Sequence, residues 1–336
     1  MTEEIVKALV KVGRSFGNKD NAQLQQAMES AWAHNKWFTA ENVQLALDYW
    51  HSKLTAENLQ KWMEREGVAE NTAAKTVGIV AAGNIPMVSL HDVVCVLLTG
   101  NRVNIKLSSD DEVLMKFFIR LLVNANPLMG QYIQAVDKIE NIDAVIATGS
   151  NNTARYFQYY FGKYPNIIRK NRNSIAVLTG NETPETLHKI GFDITSYFGK
   201  GCRNVTQVWA PEGYNWEKFI VGISGYNDII NHNKYANNYT YHKAIILMNL
   251  DKHLDTGFIL LRNDRKIYSP LGVLNYTEYK DMGEVKEFIA HNADNIQCIV
   301  SESPGLLEAV KPGNTQNPEL WEYADGVNTI KFLKGL

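Results

Sequence analysis

Apolar residues in the first part of the chain recur every three or four positions. Within TAENVQLALDYWHSKL, from Thr39 to Leu54, they are Val43, Leu45, Ala46, Tyr49, Trp50 and Leu54, with polar residues between them. That spacing predicts an amphipathic helix. TAENLQKWMEREG starts at Thr55 and stops at Gly67. The shared TAEN marks two helix starts and not an internal repeat, because nothing else recurs. Trp32 and Trp37, just before these stretches, and Trp50 and Trp62 within them read as packing residues. Residues 1–70 are therefore expected to be helical.

The pattern changes at Thr76. TVGIVAAGNIPMVSLHDVVCVLLTGNRVNIKLSS predicts a strand, a glycine turn, an apolar helix ended by Gly100, and a second strand reaching Lys106. Strands that are apolar on both faces belong in a parallel sheet. A helix is expected around Glu112 to Val123, strands at Ala135 to Ile139 and in DAVIATGS, a helix in NTARYFQYYFGK and a strand at Ser174 to Leu178. This alternation predicts a doubly wound α/β sheet. Beyond Thr183, AIILMNL, FILL and NIQCIV read as strands, and helices are expected at Trp216 to Ile223 and Met282 to His291. From Lys311 a turn-rich tail is expected to fold back on the body, with IKFL as a short apolar strand or packed end. The domain expectation is helices and a nucleotide domain over 1–182, a second α/β domain over 183–310, and the tail over 311–336.

Hydrophobic residues make up 45% of the 336 and charged residues 21%, which excludes a disordered or fibrous chain. Lys and Arg number 34 against 36 Asp and Glu, so nucleic acid is not expected as the main partner. The opening MTEEIVKALVKVGRSF is too charged for a signal peptide, and runs such as VVCVLL are too short to span a membrane. Cys95, Cys202 and Cys298 form neither a metal-ligand spacing nor a disulfide framework. A soluble, reducing, cytoplasmic setting is expected. G-x-G-x-x-G, Walker A, H-E-x-x-H and G-x-S-x-G are all missing, and His232 and His242 sit in a polar stretch that does not announce zinc.

A few positions stand out against this background. Cys95 and Cys298 lie in apolar elements and read as core. Cys202 follows Gly199, Lys200 and Gly201 and precedes Arg203. Glycines admit a substrate to the backbone and nearby cations favour thiolate, so Cys202 reads as a nucleophile or as a buried structural cysteine. Asn84, past the end of the first strand, is an oxyanion donor or a turn residue. Lys106, Ser108 and Ser109 follow the next strand, and Gly149 and Ser150 end another and open a helix. Together they form a cofactor cradle or loop scaffolding at one sheet edge.

These blocks resemble the aldehyde dehydrogenase superfamily. AAGNIPM is similar to its oxyanion-asparagine turn, which would be Asn84. NIKLSS resembles its lysine-proline-serine cofactor motif, with Leu107 for proline, and IATGS resembles the turn that gives Gly149 and Ser150. GKGCRN stands in the place of the nucleophile loop, with Cys202 as nucleophile. GNIPMVSLHDVVCVLLTGNRVNIKLSSDD and NPELWEYADGVNT are more specifically similar to the acyl-CoA reductase branch related to the fatty-acid reductase of bacterial luminescence, a likeness running from roughly Trp37 to Leu333.

The resemblance implies an aldehyde-dehydrogenase-like α/β fold, with a Rossmann-type parallel sheet domain and a second α/β catalytic domain. It implies reduction of an acyl-CoA, of fatty acyl type, to aldehyde through an acyl-cysteine. It places Lys106, Ser108, Gly149, Ser150 and Tyr268 toward the dinucleotide, with NADPH preferred and NADH as the alternative. Two departures matter. PNIIRKNRNSIAVLTG, Pro165 to Gly180, lacks the superfamily's water-activating glutamate, and Lys266 in RKIYSPLGV replaces a glutamate that holds nicotinamide ribose. The first favours thioester reduction, which needs no activated water. NAD(P)+-dependent aldehyde oxidation and an inactive cofactor-binding relative are the alternatives. A homodimer is implied, as is an acyl-carrier or aldehyde-consuming protein as further partner.

Overall fold

The computed structural model describes residues 2–336 except 72 and 307. One compact unit runs to Asn171 and takes in Glu319–Leu336; the other is Arg172–Pro318.

Four helices open the first unit: α1 (Thr2–Phe16), α2 (Ala22–His34), α3 (Ala40–Lys53) and α4 (Ala56–Glu66). The two TAEN segments are helix starts. Thr39 and Thr55 accept from the backbone N–H groups of Asn42 and Asn58, and each helix carries a glutamate in its first turn. The hydroxyl satisfies a donor that the helix leaves open, and the acid suits the positive end of its dipole. Gly67, at φ 57, ends α4 in the left-handed conformation that glycine adopts without strain. Ile5, Leu9, Phe16, Leu47, Trp50 and Trp62 are buried in one core with the elements that follow.

Those elements are β1 (Thr76–Val80), α5 (Leu90–Leu98), β2 (Arg102–Lys106), α6 (Glu112–Ala125), β3 (Ile133–Ala135), β4 (Ala144–Thr148), α7 (Asn151–Phe161) and β5 (Asn166–Arg169). The sheet has the order β3-β2-β1-β4-β5 and is parallel throughout. The chain builds outward from β1 to β3, then returns to lay β4 and β5 on the other side. β1 and β4 therefore flank the point where the winding reverses, and the strand ends there are where open α/β sheets take ligands. β3 lies earlier than Ala135 to Ile139 because it is an edge strand paired only with Val103–Ile105 of β2.

The second unit contains β6 (Asn173–Val177), α8 (Pro184–Thr195), β7 (Val205–Pro211), α9 (Trp216–Ile223), α10 (Asn233–Met248), β8 (His253–Asp255), β9 (Leu260–Asn263), β10 (Val273–Tyr279), α11 (Met282–His291) and β11 (Ile296–Val300). Its sheet has the order β11-β6-β7-β10-β9-β8, parallel except for β8. The chain thus has the α/β architecture expected, a Rossmann-like parallel sheet and a second, mixed one. AIILMNL is not a strand: it forms the last turns of α10, which His232 caps at the other end. A short apolar run has no period to separate strand from helix, and here only Ile246 of the run is buried, while Leu247, Met248 and Leu250 are exposed.

IKFL is likewise helical, within α12 (Thr329–Lys334), where Ile330 and Leu333 share the buried face. The returning segment is fastened to the first unit. Trp62 Nε1 donates to Tyr323 Oη at 2.9 Å, a His91 ring nitrogen lies 2.8 Å from the Leu320 carbonyl, and Lys334 Nζ reaches the Glu66 and Gly67 carbonyls at 2.6 and 2.7 Å. Buried Arg169 pairs with Asp92 of α5 and donates to Thr329 Oγ1 at 3.0 Å.

Candidate active site

In the first unit, β1 and β2 run in register to Val80 and Lys106, and Ala81 N–H donates to the Lys106 carbonyl at 3.0 Å. A Cβ on Gly83 would lie 2.4 Å from Ser108 Oγ, so only glycine lets the turns leaving β1 and β2 close on each other. Asn84 follows in an exposed bend. The turn that carries it is held on both sides. Ser89 Oγ donates to the Ala82 carbonyl at 3.1 Å, and Met87, at φ 55, donates its N–H to Asp111 Oδ2 at 2.8 Å. Asp111 is buried; desolvation pushes its carboxyl well up, against the opposing effect of the Met87 N–H.

Lys106 is exposed at the same edge. Ser108 Oγ accepts from Asp110 N–H at 3.3 Å and so shapes the short helix before α6. At the end of β4, Gly149 N–H reaches the Arg169 carbonyl at 3.3 Å, and a Cβ on Gly149 would meet Phe157 at 2.9 Å. Ser150 caps α7, accepting from Thr153 N–H at 3.2 Å. Asn84, Lys106, Ser108, Gly149 and Ser150 thus lie at the C-terminal ends of β1, β2 and β4. A cation, two close-packed glycines and an opening helix at the winding reversal fit a dinucleotide, whose phosphates suit a helix N-terminus.

Cys202 and Tyr268 belong to the second unit. After α8 the chain passes through Tyr197, Phe198 and Gly199 at φ 52, 58 and 74. Left-handed non-glycine residues cost about 1–2 kcal/mol each, so the surroundings must impose this path. Fully buried Asn204 imposes much of it. Its Nδ2 donates to the Asp193 carbonyl at 3.1 Å, the Ser196 carbonyl at 2.8 Å and Ser196 Oγ at 3.1 Å, while its Oδ1 accepts from Gly201 N–H at 2.8 Å. Buried Asp193 accepts from Gly313 N–H and from the N–H and hydroxyl of Thr315, and burial still raises its carboxyl above the ordinary value. Arg203 Nε donates to the Thr315 carbonyl at 2.5 Å.

Cys202 itself is half-buried in this loop, and its carbonyl accepts from Ser174 Oγ at 2.9 Å. Cys95 is fully buried in α5, where desolvation pushes its thiol well up; Cys298 is half-buried on β11. Tyr268 is exposed, but its segment is anchored: Asn275 Nδ2 donates to the carbonyls of Lys266 and Tyr268 at 2.7 and 2.9 Å. Thr206, four residues past Cys202, donates to the Ile267 carbonyl at 2.7 Å. The Cys202 loop and the Tyr268 segment therefore lie side by side, with a cavity of about 20 Å³ lined by Phe198, Gly199, Leu271 and Gly272. Lys266 is exposed with Asp264 3.7 Å away.

Glu182 is buried and accepts from the N–H and hydroxyl of Thr179 and from Gly180 N–H at 3.2 Å, which commits it to that turn. Among the described residues no group of His, Cys, Asp or Glu could hold a metal ion, and no helix is long and apolar enough to cross a membrane. A larger groove of about 470 Å³ along α1 is lined by none of the candidate residues. Sequence reasoning passed over Asp111, Ser174, Asp193 and Asn204. Their only signal was polarity inside or beside apolar runs.

A sequence profile of the family described as acyl-CoA reductase (LuxC) matches residues 14–215. No curated protein matches the chain. Among solved structures, aldehyde dehydrogenase 21 of Physcomitrella patens, in complex with succinate, is similar at 13% identity and TM-score 0.71, over 100% of this chain and 84% of that one. An NAD-dependent aldehyde dehydrogenase of Sinorhizobium meliloti is similar at 12% identity and TM-score 0.67, over 92% and 72%. A variant of the indole-3-acetaldehyde dehydrogenase of P. syringae, in complex with NAD+, gives 12% identity and TM-score 0.66, over 92% and 73%. These likenesses show that the chain shares the two-domain α/β fold of those proteins.

Proposed function

Since the chain belongs to the acyl-CoA reductase (LuxC) family, we propose that it reduces an acyl-CoA thioester to the aldehyde through an acyl group carried on Cys202. The observation that carries this reading is the loop around Cys202. It sets a half-buried thiol between a left-handed run and the start of β7, on a path held by buried Asn204 and Asp193. Such over-determined, strained backbone is what a positioned nucleophile calls for.

The thiolate of Cys202 attacks the thioester carbonyl. The carbonyl π pair moves onto oxygen, and the side-chain amide of Asn84 and the backbone N–H of Cys202 are the donors assigned to that oxyanion. Collapse expels the coenzyme A thiolate and leaves the acyl group on Cys202. A reduced nicotinamide dinucleotide, when bound, supplies the hydride that this acyl group accepts. The resulting thiohemiacetal breaks its C–S bond, releasing aldehyde and restoring the thiolate. Lys106, Ser108, Gly149, Ser150 and Tyr268 are assigned to the dinucleotide. NADPH is the donor proposed, on the family resemblance and because Lys106 and Lys266 are exposed cations. No step needs an activated water, in keeping with Glu182 being bound into its own turn.

A second reading is NAD(P)+-dependent oxidation of an aldehyde to the acid, and the solved structures with this fold favour it, since they are aldehyde dehydrogenases. One pair of assays separates the two. Incubation with acyl-CoA of graded chain length and NADPH or NADH is expected to release aldehyde and free coenzyme A, with an acyl adduct on the peptide containing Cys202. Acid formation from aldehyde and NAD(P)+ without coenzyme A, in the absence of thioester reduction, would establish the second reading instead.

A further inference from the structure

Ser174 is fully buried at the start of β6, between β7 and β11. Both neighbouring ladders lose their register there. The pairing with β7 jumps from Ser174–Val205 to Ile175–Gln207, and the pairing with β11 jumps from Asn173–Ile296 to Ile175–Ile299. Bulges of this kind leave backbone groups without their ladder partners and bend the strand. The Ser174 hydroxyl fills the gap on the β11 side and reaches beyond the start of β7 to Cys202. It accepts from Cys298 N–H at 3.2 Å, lies 3.0 Å from Cys298 Sγ, and donates to the carbonyl of Cys202 at 2.9 Å. Since a hydroxyl has one proton, its donation to Cys202 fixes its orientation.

We infer that Ser174 is a positioning residue for Cys202: by holding the Cys202 carbonyl, it fixes the plane of the Cys202–Arg203 peptide and with it the direction of the thiol. The other constraints act elsewhere. Asn204 holds the loop through Gly201 and Ser196, and Thr315 holds Arg203 by its side chain. Ser174 bonds the main chain of Cys202 itself. The hydrogen bond lies within the second unit and does not depend on what that unit binds.

The inference rests on the proposed function only for the identity of the nucleophile, and it is tested without substrate. Alkylation of Cys202 by iodoacetamide, read by peptide mass against pH, reports thiol orientation and ionisation together. Ser174→Ala is expected to slow it about tenfold at matched pH, and Ser174→Thr, which keeps the hydroxyl, to return it to within about threefold of the parent. Ser301→Ala serves as the structural control, because it removes a buried hydroxyl that bonds the same strand β6 at the Val177 carbonyl and not Cys202. It should lower the melting temperature while leaving Cys202 alkylation at the parent rate.

Equal alkylation in Ser174→Ala and parent, or equal slowing in Ser301→Ala, would overturn the inference. Should Ser174→Ala be insoluble, Ser174→Thr and Ser174→Cys decide it: the weak thiol donor must be slower than the hydroxyl, and equal rates overturn it. Failure of the parent protein to reduce any acyl thioester would remove the proposed function and leave this result standing.

Discussion

Cys202, Asn84 and Asp111 each make a different demand on single-residue chemistry. Cys202→Ala is expected to abolish turnover and the acyl adduct, whereas Cys95→Ala and Cys298→Ala should retain the adduct on Cys202; labelling confined to residue 95 or 298 would sink the assignment. Removal of one oxyanion donor costs about 10²–10³ in kcat, and this is the loss expected for Asn84→Ala. Asp111 yields a prediction in pH. Burial holds its carboxyl well above the ordinary 3.8 in the folded protein. The folded state then keeps a proton that the unfolded chain has released, so the stabilisation is full below the ordinary value and is lost as pH rises through the raised one. Asp111→Asn keeps an acceptor for Met87 and should flatten that part of the curve. Melting temperatures taken from acid to mildly alkaline pH check this, and an unchanged slope would refute it.

The returning tail and the elements that receive it make the next predictions. Truncation after Gln316 removes Leu320, Tyr323, Ile330 and Leu333 from the first core and Thr329 from Arg169. It is expected to lower the melting temperature sharply and abolish the proposed reductase activity by loosening that unit. Asp325 occupies φ 60, a conformation asparagine also tolerates, so Asp325→Asn should keep near-normal turnover. A fall of about 10²–10⁴ in a folded Asp325→Asn protein would instead make Asp325 an acid–base group. Asp92→Ala strands buried Arg169, and loss of one partner of such a pair typically costs about 3–5 kcal/mol, to be read from denaturant unfolding.

For the molecule as a whole, cofactor choice and assembly are measurable directly. Lys106→Ala is expected to raise the KM for NADPH about tenfold more than that for NADH; equal changes would detach Lys106 from the extra phosphate. Sedimentation at micromolar protein is expected to give twice the chain mass of 38.0 kDa, as the implied homodimer requires, and a purely monomeric species would count against it.

Local pattern was enough for the two TAEN helix starts, the apolar α5 between two parallel strands, and the strand ends that carry Asn84, Lys106, Gly149 and Ser150. Each depends on periodicity, capping or glycine within a few residues, which act before any distant contact forms. The same local rules failed for AIILMNL and for the strand alternative at IKFL, whose packed-end alternative holds, because a short apolar run acquires its helix or strand character from what buries it. Non-local contacts also assigned Ser174 to the Cys202 carbonyl and Asp193 to Thr315. These pairings join positions as far apart as 193 and 315. Their partners are set by sheet order and by which buried donors still need acceptors, and neither quantity is written in the neighbourhood of any one residue.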